Sequence, residues 1–204
     1  MKKIAITVLL CLLAQAGNLL TSFLVADVCR LPLFFDTAFS VAVTFYAGFM
    51  PGVAVAASYN FLRIFFITLA GNRQTYPSEG LYFLCGVAIV VITWFFSRDK
   101  QNFRITWYIT ALYLVLIALL TAFASSIIGA GVETFNRIHF HGMAYASPVE
   151  YFVRTFLGEN VGIFVSCAFA RIPVTVLDRL CTTFAGYGIF LLLTRKWGDY
   201  GCAA

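Results

Sequence analysis

The sequence predicts an all-α polytopic membrane protein: six transmembrane helices in one bundle, with a short helical extracellular cap between helices 5 and 6. Composition points there first. Sixty-one per cent of the 204 residues are hydrophobic and only 11% are charged, with a mean hydropathy of +0.89. A soluble domain carries about 25% charged residues. Apolar runs that could cross a hydrocarbon core of roughly 30 Å, at about 1.5 Å per residue, recur along the chain. Lys and Arg favour alternate connecting segments. Residues 1–204 are expected to form a single membrane domain, with no repeat and no linker marking a second.

The first span is expected at residues 4–26. Met1-Lys2-Lys3, an apolar run and Ala14-Gln15-Ala16 also have the outline of a secretory signal with its cleavage site. The apolar run continues through Leu19, Leu20, Phe23, Leu24 and Val25 with no polar mature start, so a retained helix is expected. The second span is read at 33–50, with Asp36 near its start, and a tight Pro51–Gly52 turn leads to the third, 53–70. The fourth, 81–96, is short, and the fifth, 105–129, is long. Residues 130–170 then form an outer segment rich in Phe and Tyr. Within it, Ser147-Pro148-Val149-Glu150 has the signature of a helix start: a capping Ser, Pro first and Glu third. A short helix through Leu157 is expected, and a second short helix over 161–170. The sixth span, 172–194, has Pro173 in its first turn, where the missing N–H costs nothing, and Arg195 and Lys196 stop it. With the N-terminus cytoplasmic, the inner segments hold Lys2, Lys3, Arg98, Lys100, Arg104, Arg195 and Lys196. Both termini are therefore expected inside the cell and the 130–170 segment outside.

The net charge of +5 does not imply nucleic acid, because the basic residues are spread over loops and ends. No Gly-x-Ser-x-Gly, His-Glu-x-x-His or phosphate-binding Gly-rich loop appears, so neither enzyme activity nor a cofactor is expected. His139-Phe140-His141 lacks further ligands at metal-binding spacing, and no metal site is expected. Cys11, Cys85 and Cys181 fall within spans, where they behave as small apolar residues. Cys29 and Cys167 both lie on the outer side, and a bridge between them is left open. Thr182 and Gly186, extended by Ala185 and Gly188, offer a small-residue surface for close helix packing.

Polar groups at membrane depth carry the functional signal. A charge there costs about 2.5–3.5 kcal/mol even on the mildest scale, so it is usually paired, facing a cavity or contacting a ligand. Arg171, Thr175, Asp178, Arg179 and Thr182 crowd the start of span six, and 175, 178, 179 and 182 share one broad helical face. Two readings stand. The face presents donors and an acceptor to a polar ligand, or Asp178 pairs with Arg179 or Arg171 as a structural unit. Asn60 and Arg63 sit at i and i+3 in span three, with Arg63 near the midplane and Asp178 or Asp36 as its candidate partner. Phe34, Phe35 and Tyr46 are candidates for stacking on a flat ring. Together these residues predict an outward-facing pocket between the start of span six, the outer half of span three and the loop before span two.

Leu31-Pro32-Leu33-Phe34-Phe35-Asp36-Thr37 opens span two, and Gly48-Phe49-Met50-Pro51-Gly52 forms the next turn. Ala57-Ser58-Tyr59-Asn60 lies in span three, and Ile172-Pro173-Val174-Thr175-Val176-Leu177-Asp178-Arg179 opens span six. With six spans in 204 residues, these segments resemble the substrate-binding S components of energy-coupling factor vitamin transporters, most nearly the riboflavin-transporter-like branch. In that family the last segment often reads Pro-x-Asn-x-x-Lys, and its polar residues contact the vitamin. Carried over, Thr175 stands where Asn is common and Asp178 where Lys is common, with Arg179 one step on. The resemblance implies high-affinity binding of a small vitamin-like molecule from outside a bacterial inner (plasma) membrane. It also implies partnership with a transmembrane coupling subunit and two cytoplasmic ATPases, whose ATP hydrolysis topples the S component and releases the ligand inside. Many members carry Ala-x-x-x-Ala on helix one as a docking surface; span one here has Ala5, Ala14, Ala16 and Gly17 without that spacing. Metal-specific relatives begin Met-His, whereas this chain begins Met-Lys-Lys, so nickel and cobalt are not expected. The alternative function is a membrane-embedded ligand-sensing module working with a separate signalling partner.

Overall fold

The computed structural model describes residues 2–29, 31, 33–69, 77–99, 103, 106–139 and 149–198. Regular structure among them is all helical. The first helix, α1 (Lys2–Ser22), runs on into a π-helical stretch, Phe23–Val28. Next come α2 (Ala38–Ala47) and α3 (Phe49–Leu69), and a 3-10 segment, Pro77–Tyr82, leads into α4 (Phe83–Ser97). The long α5 (Trp107–His139), the short α6 (Glu150–Gly158) and the long α7 (Ile163–Trp197) complete the order. Among the described residues, five helical stretches are long and apolar enough to cross a membrane: Ile4–Ala26, Phe49–Leu69, Ser78–Ser97, Trp107–His139 and Ile163–Trp197. Ile4, Leu69, Leu112 and Leu192 are among the many large apolar side chains that these helices leave exposed. Water would oppose such a surface and lipid favours it. This is the build of a helical membrane protein.

The expected second span is shorter than the sequence suggested. Only Ala38–Ala47, ten residues, is helical, and it rises about 15 Å, half a hydrocarbon core. Gly48 ends it with φ at +90°, a backbone conformation that side-chain-bearing residues rarely adopt. The break between α2 and α3 therefore falls at Gly48, and Pro51 sits in the first turn of α3 rather than in a turn before it. There its missing N–H has no intrahelical acceptor to lose. Eight of the ten α2 residues are buried, from Ala38 to Tyr46, as expected of a helix enclosed on all sides.

Helices α5 and α7 are longer than expected, at 33 and 35 residues. At about 1.5 Å per residue each reaches roughly 50 Å, well beyond a 30 Å core. Residues 163–170 are the first turns of α7, not a separate helix, and Pro173 lies inside α7 rather than in its first turn. Pro173 withholds the N–H that the Phe169 carbonyl would accept. Packing of α7 along α5, the most extensive helix contact in the protein, carries the helix through that gap. The short helix expected near residue 150 is α6, which starts at Glu150 with no side-chain cap; Ser147 and Pro148 lie outside the described residues.

Close approaches use small residues. A Cβ on Gly186 would stand 2.7 Å from the Ala38 carbonyl oxygen and from Val41, so only Gly lets α2 lie on α7. Gly52 seats α3 on Thr44, and Gly86 seats α4 on Ala56. Gly188, expected to share the small-residue surface, has nothing within 4 Å of that position. Near the far end from α6, the rings of Phe45, Phe103, Tyr187 and Phe190 pack with centroids 5.5 to 5.7 Å apart. At the α6 end, Val149 and Val153 pack with Ala130, Cys167, Ala170 and Val174. Cys29 is exposed, Cys167 is buried in that cluster, and both are free thiols, so no bridge joins them.

Candidate functional site

The stretch 33–37 ahead of α2 is irregular backbone inside the bundle. At membrane depth such backbone survives only where it is buried in protein or lines a cavity and its polar groups find partners. The partners are specific. Asp178 Oδ1 on α7 accepts the Phe34 and Phe35 N–H groups at 2.9 and 2.8 Å. Thr21 on α1 donates its hydroxyl to the Phe35 carbonyl at 2.9 Å. Asn18, fully buried on α1, accepts the Phe39 N–H at 3.0 Å and donates to Ser40 Oγ at 2.9 Å, capping α2 from a neighbouring helix. Phe35 is held at φ +45°, a left-handed conformation that costs an L-residue roughly 1–2 kcal/mol. The bonds to both of its peptide groups hold it there.

Beside this segment lies a cavity of about 120 Å³. One water needs about 10–15 Å³ on that measure, so the space suits a small organic molecule. Its walls follow helical periodicity. On α3, Ala56, Tyr59, Asn60, Arg63, Ile64 and Ile67 face it; on the approach to α4 and in α4 itself, Tyr82, Cys85, Gly86 and Ile89 do. Both sets repeat at steps of three and four, one face of each helix. Arg171, Thr175 and Arg179 add a face of α7, and Leu33, Phe34, Asp36 and Thr37 close the side at the irregular segment. Glu79 and Ser125 also line it. The Tyr59 hydroxyl, beside Ser22, completes no hydrogen bond of normal geometry.

Two ionic assemblies hold these walls. In the first, Arg179 Nη2 lies 3.1 Å from Asp36 Oδ1 and 3.1 Å from Asp178 Oδ2, and Nη1 donates to the Thr37 hydroxyl. In the second, Arg171 donates to Glu133 Oε2 from Nε at 2.9 Å and Nη2 at 2.6 Å, and to the Tyr82 hydroxyl at 3.0 Å. Glu133 Oε1 accepts from Arg137, Arg137 also pairs with Glu150, and Glu150 accepts from Arg154 at 2.7 Å. Alternating charges thus run from the cavity wall along α5 and α7 to the exposed face of α6. Gly129 leaves room for this line, because a Cβ there would stand 2.9 Å from Arg171 Nη1.

The residues singled out in the sequence separate into two groups. Arg171, Thr175, Arg179, Asn60, Arg63 and Phe34 converge on the one cavity. Asp178, Phe35 and Tyr46 are not among its lining residues. Asp178 is fully buried and holds the backbone of 33–37 and Arg179 in place. It pairs with Arg179; Arg171 pairs with Glu133 instead. Tyr46 packs with Leu10, Ala14, Val43 and Val55, and its hydroxyl donates to the Gly198 carbonyl at 3.3 Å, toward the opposite end of the bundle. His139 sits at the end of α5, its ring against Phe135, and no cluster with metal-binding composition exists among the described residues. His141 lies outside the described residues.

Sequence reasoning missed Glu133, Tyr82 and Tyr59 as members of the site. Glu133 stood in an outer loop in the span assignment. Yet Ser126, Ala130, Glu133 and Arg137 continue the three-and-four spacing of the buried α5 face, a signal that α5 ran on. Comparison with family models, with curated proteins and with solved structures finds no match to this chain.

Proposed function

We propose that this protein binds a small polar molecule in the cavity from the outer side of the membrane and serves as the substrate-binding subunit of an energy-coupling factor type uptake system. A coupling subunit and cytoplasmic ATPases supply the energy. The observation that carries the proposal is a polar cavity inside an apolar bundle, reached by the broken start of α2 and by Arg171, Thr175 and Arg179 of α7. Charged walls at such depth are costly as pure structure and are usually kept where something polar binds. Of the segments that resemble the transporter family, Leu33, Phe34, Asp36 and Thr37 before α2 and Thr175 and Arg179 of α7 line this cavity, whereas Asp178 holds the backbone beside it.

In this account α2 and residues 33–37 together make a sixth crossing. Helix α6 caps the outer face, and both termini lie in the cytoplasm. Arg98, Arg195 and Lys196 sit at the α4 and α7 ends opposite α6, which suits a cytoplasmic side. The test is co-purification of the tagged protein from its native membranes in mild detergent. The proposal expects ATPase subunits and a second membrane protein in stoichiometric amounts. Recovery of a histidine kinase or other signalling protein, without ATPases, would favour ligand sensing instead.

A further inference from the structure

The described charged side chains on the cavity wall are engaged within the protein. Arg179 is held by Asp36, Asp178 and Thr37, and Arg171 by Glu133 and Tyr82. Arg63 and Glu79 have interactions of their own. A hydroxyl on the wall has an outlet into its own helix, as Ser125 shows by donating to the Thr121 carbonyl at 2.6 Å. Asn60 stands apart. It lines the cavity half-buried, and its carboxamide has no hydrogen-bond partner among the described residues. It lies roughly 17 Å along α3 from Phe49, well inside hydrocarbon. An amide has two N–H donors and a carbonyl acceptor to satisfy, and leaving them unpaired away from water costs free energy. The usual remedy is a bond to a neighbouring helix, which Asn18 on α1 makes to Ser40 at 2.9 Å. Asn60 faces the cavity instead.

We propose that Asn60 reads the molecule taken into this cavity, and that the molecule presents to it an uncharged edge with a hydrogen-bond donor and an acceptor side by side, as on a primary amide, a lactam or an amino-substituted ring nitrogen. The inference rests on the binding function proposed above. Such an edge meets a carboxamide through two parallel hydrogen bonds, the geometry in which asparagine pairs with the edge of adenine. A lone acceptor would leave the Asn60 carbonyl unpaired, and a lone donor would leave its N–H groups unpaired. The charged side chains, already paired, shape the cavity around that contact.

The experiment uses wild-type protein and Asn60→Leu, which keeps a similar volume and removes the polar atoms. Each is purified in detergent and incubated with a metabolite extract of the cells the protein comes from. After washing, the bound compounds are released and identified by mass spectrometry, and melting curves are recorded without ligand. The wild type is expected to enrich a compound with adjacent donor and acceptor groups. Asn60→Leu should melt at or above the wild-type temperature, because no protein partner is lost, yet retain the compound about ten-fold less, as expected when a paired hydrogen-bond contact goes. Equal retention by folded Asn60→Leu, or enrichment by the wild type of a compound lacking such an edge, overturns the inference and leaves the binding function standing. A large fall in the melting temperature of ligand-free Asn60→Leu overturns it as well, since the amide then serves the fold. Should Asn60→Leu fail to fold, Asn60→Ala, which adds no bulk, is read by the same criteria. No enrichment by the wild type would contradict binding itself, and the inference falls with it.

Discussion

At the scale of residues, Glu133 anchors Arg171 of the cavity wall. Its side chain is 1% exposed and it serves two arginines, one through each carboxylate oxygen. Removing one partner of a buried ion pair leaves an uncompensated charge and costs about 3–5 kcal/mol. Glu133→Gln is therefore expected to lower the melting temperature in detergent sharply, with Arg171 and Arg137 left facing each other. Arg154 ends the same line, but its side chain is 64% exposed. Arg154→Ala should cost about 0–1 kcal/mol, as surface pairs do. Equal effects for the two substitutions, in thermal melts or chemical unfolding, would refute the graded line of charges. Asp178 makes the same point about legibility. Its pairing with Arg179 was one of two the sequence left open, the other being Arg171. Its hold on the Phe34 and Phe35 amides was not legible there, because those donors lie 144 and 143 residues away in the chain, and only the fold brings them together.

At the scale of elements, hydropathy located the apolar stretches and misjudged where helix gives way to other backbone. Residues 33–37 are apolar enough to read as helix. They remain irregular because Thr21, Asp178 and Arg179 satisfy them better than a helical turn would. Hydropathy responds to side chains and is blind to such tertiary partners. The ends of α5 and the start of α7 failed in the opposite sense. Glu133, Arg137 and Arg171 lowered the local hydropathy, yet pairing lets the helices continue past them. Small residues show the same limit, since Gly186 and Gly188 look alike in the sequence. Gly186→Ala would force a Cβ against the Ala38 carbonyl, and overpacking of that kind costs about 1–3 kcal/mol. Gly188→Ala meets open space and should be neutral or gain up to about 1 kcal/mol from helix propensity. Melting temperatures of the two variants, compared with wild type, check this; a larger loss at Gly188 would contradict the packing of α2 on α7.

At the scale of the whole molecule, the bundle has two unlike ends. Trp94, Trp107 and Trp197 lie at the end opposite α6, as tryptophans do at a membrane–water interface. Counting from Trp107 at about 1.5 Å per residue, Ser125 lies roughly 27 Å along α5 and Glu133 roughly 39 Å. The Glu133–Arg171 pair thus falls at the headgroup level on the α6 side, and Arg179 about 12 Å deeper, within hydrocarbon. The Phe45, Phe103, Tyr187 and Phe190 rings fill the end opposite α6. On a cysteine-free background, a cysteine at position 160, in the exposed turn between α6 and α7, is expected to react with an impermeant thiol reagent applied to intact cells. A cysteine at position 99, exposed after α4, is expected to stay unlabelled; labelling at 99 from outside would invert the topology. The account as a whole stands on division of labour, since the chain has the cavity and no nucleotide-binding motif. Uptake of the compound the purified protein retains, measured in proteoliposomes supplied with ATP, tests that most directly. The account predicts no accumulation with this protein alone, and accumulation once the coupling subunit and ATPases are included. ATP-driven accumulation by this protein alone would contradict it.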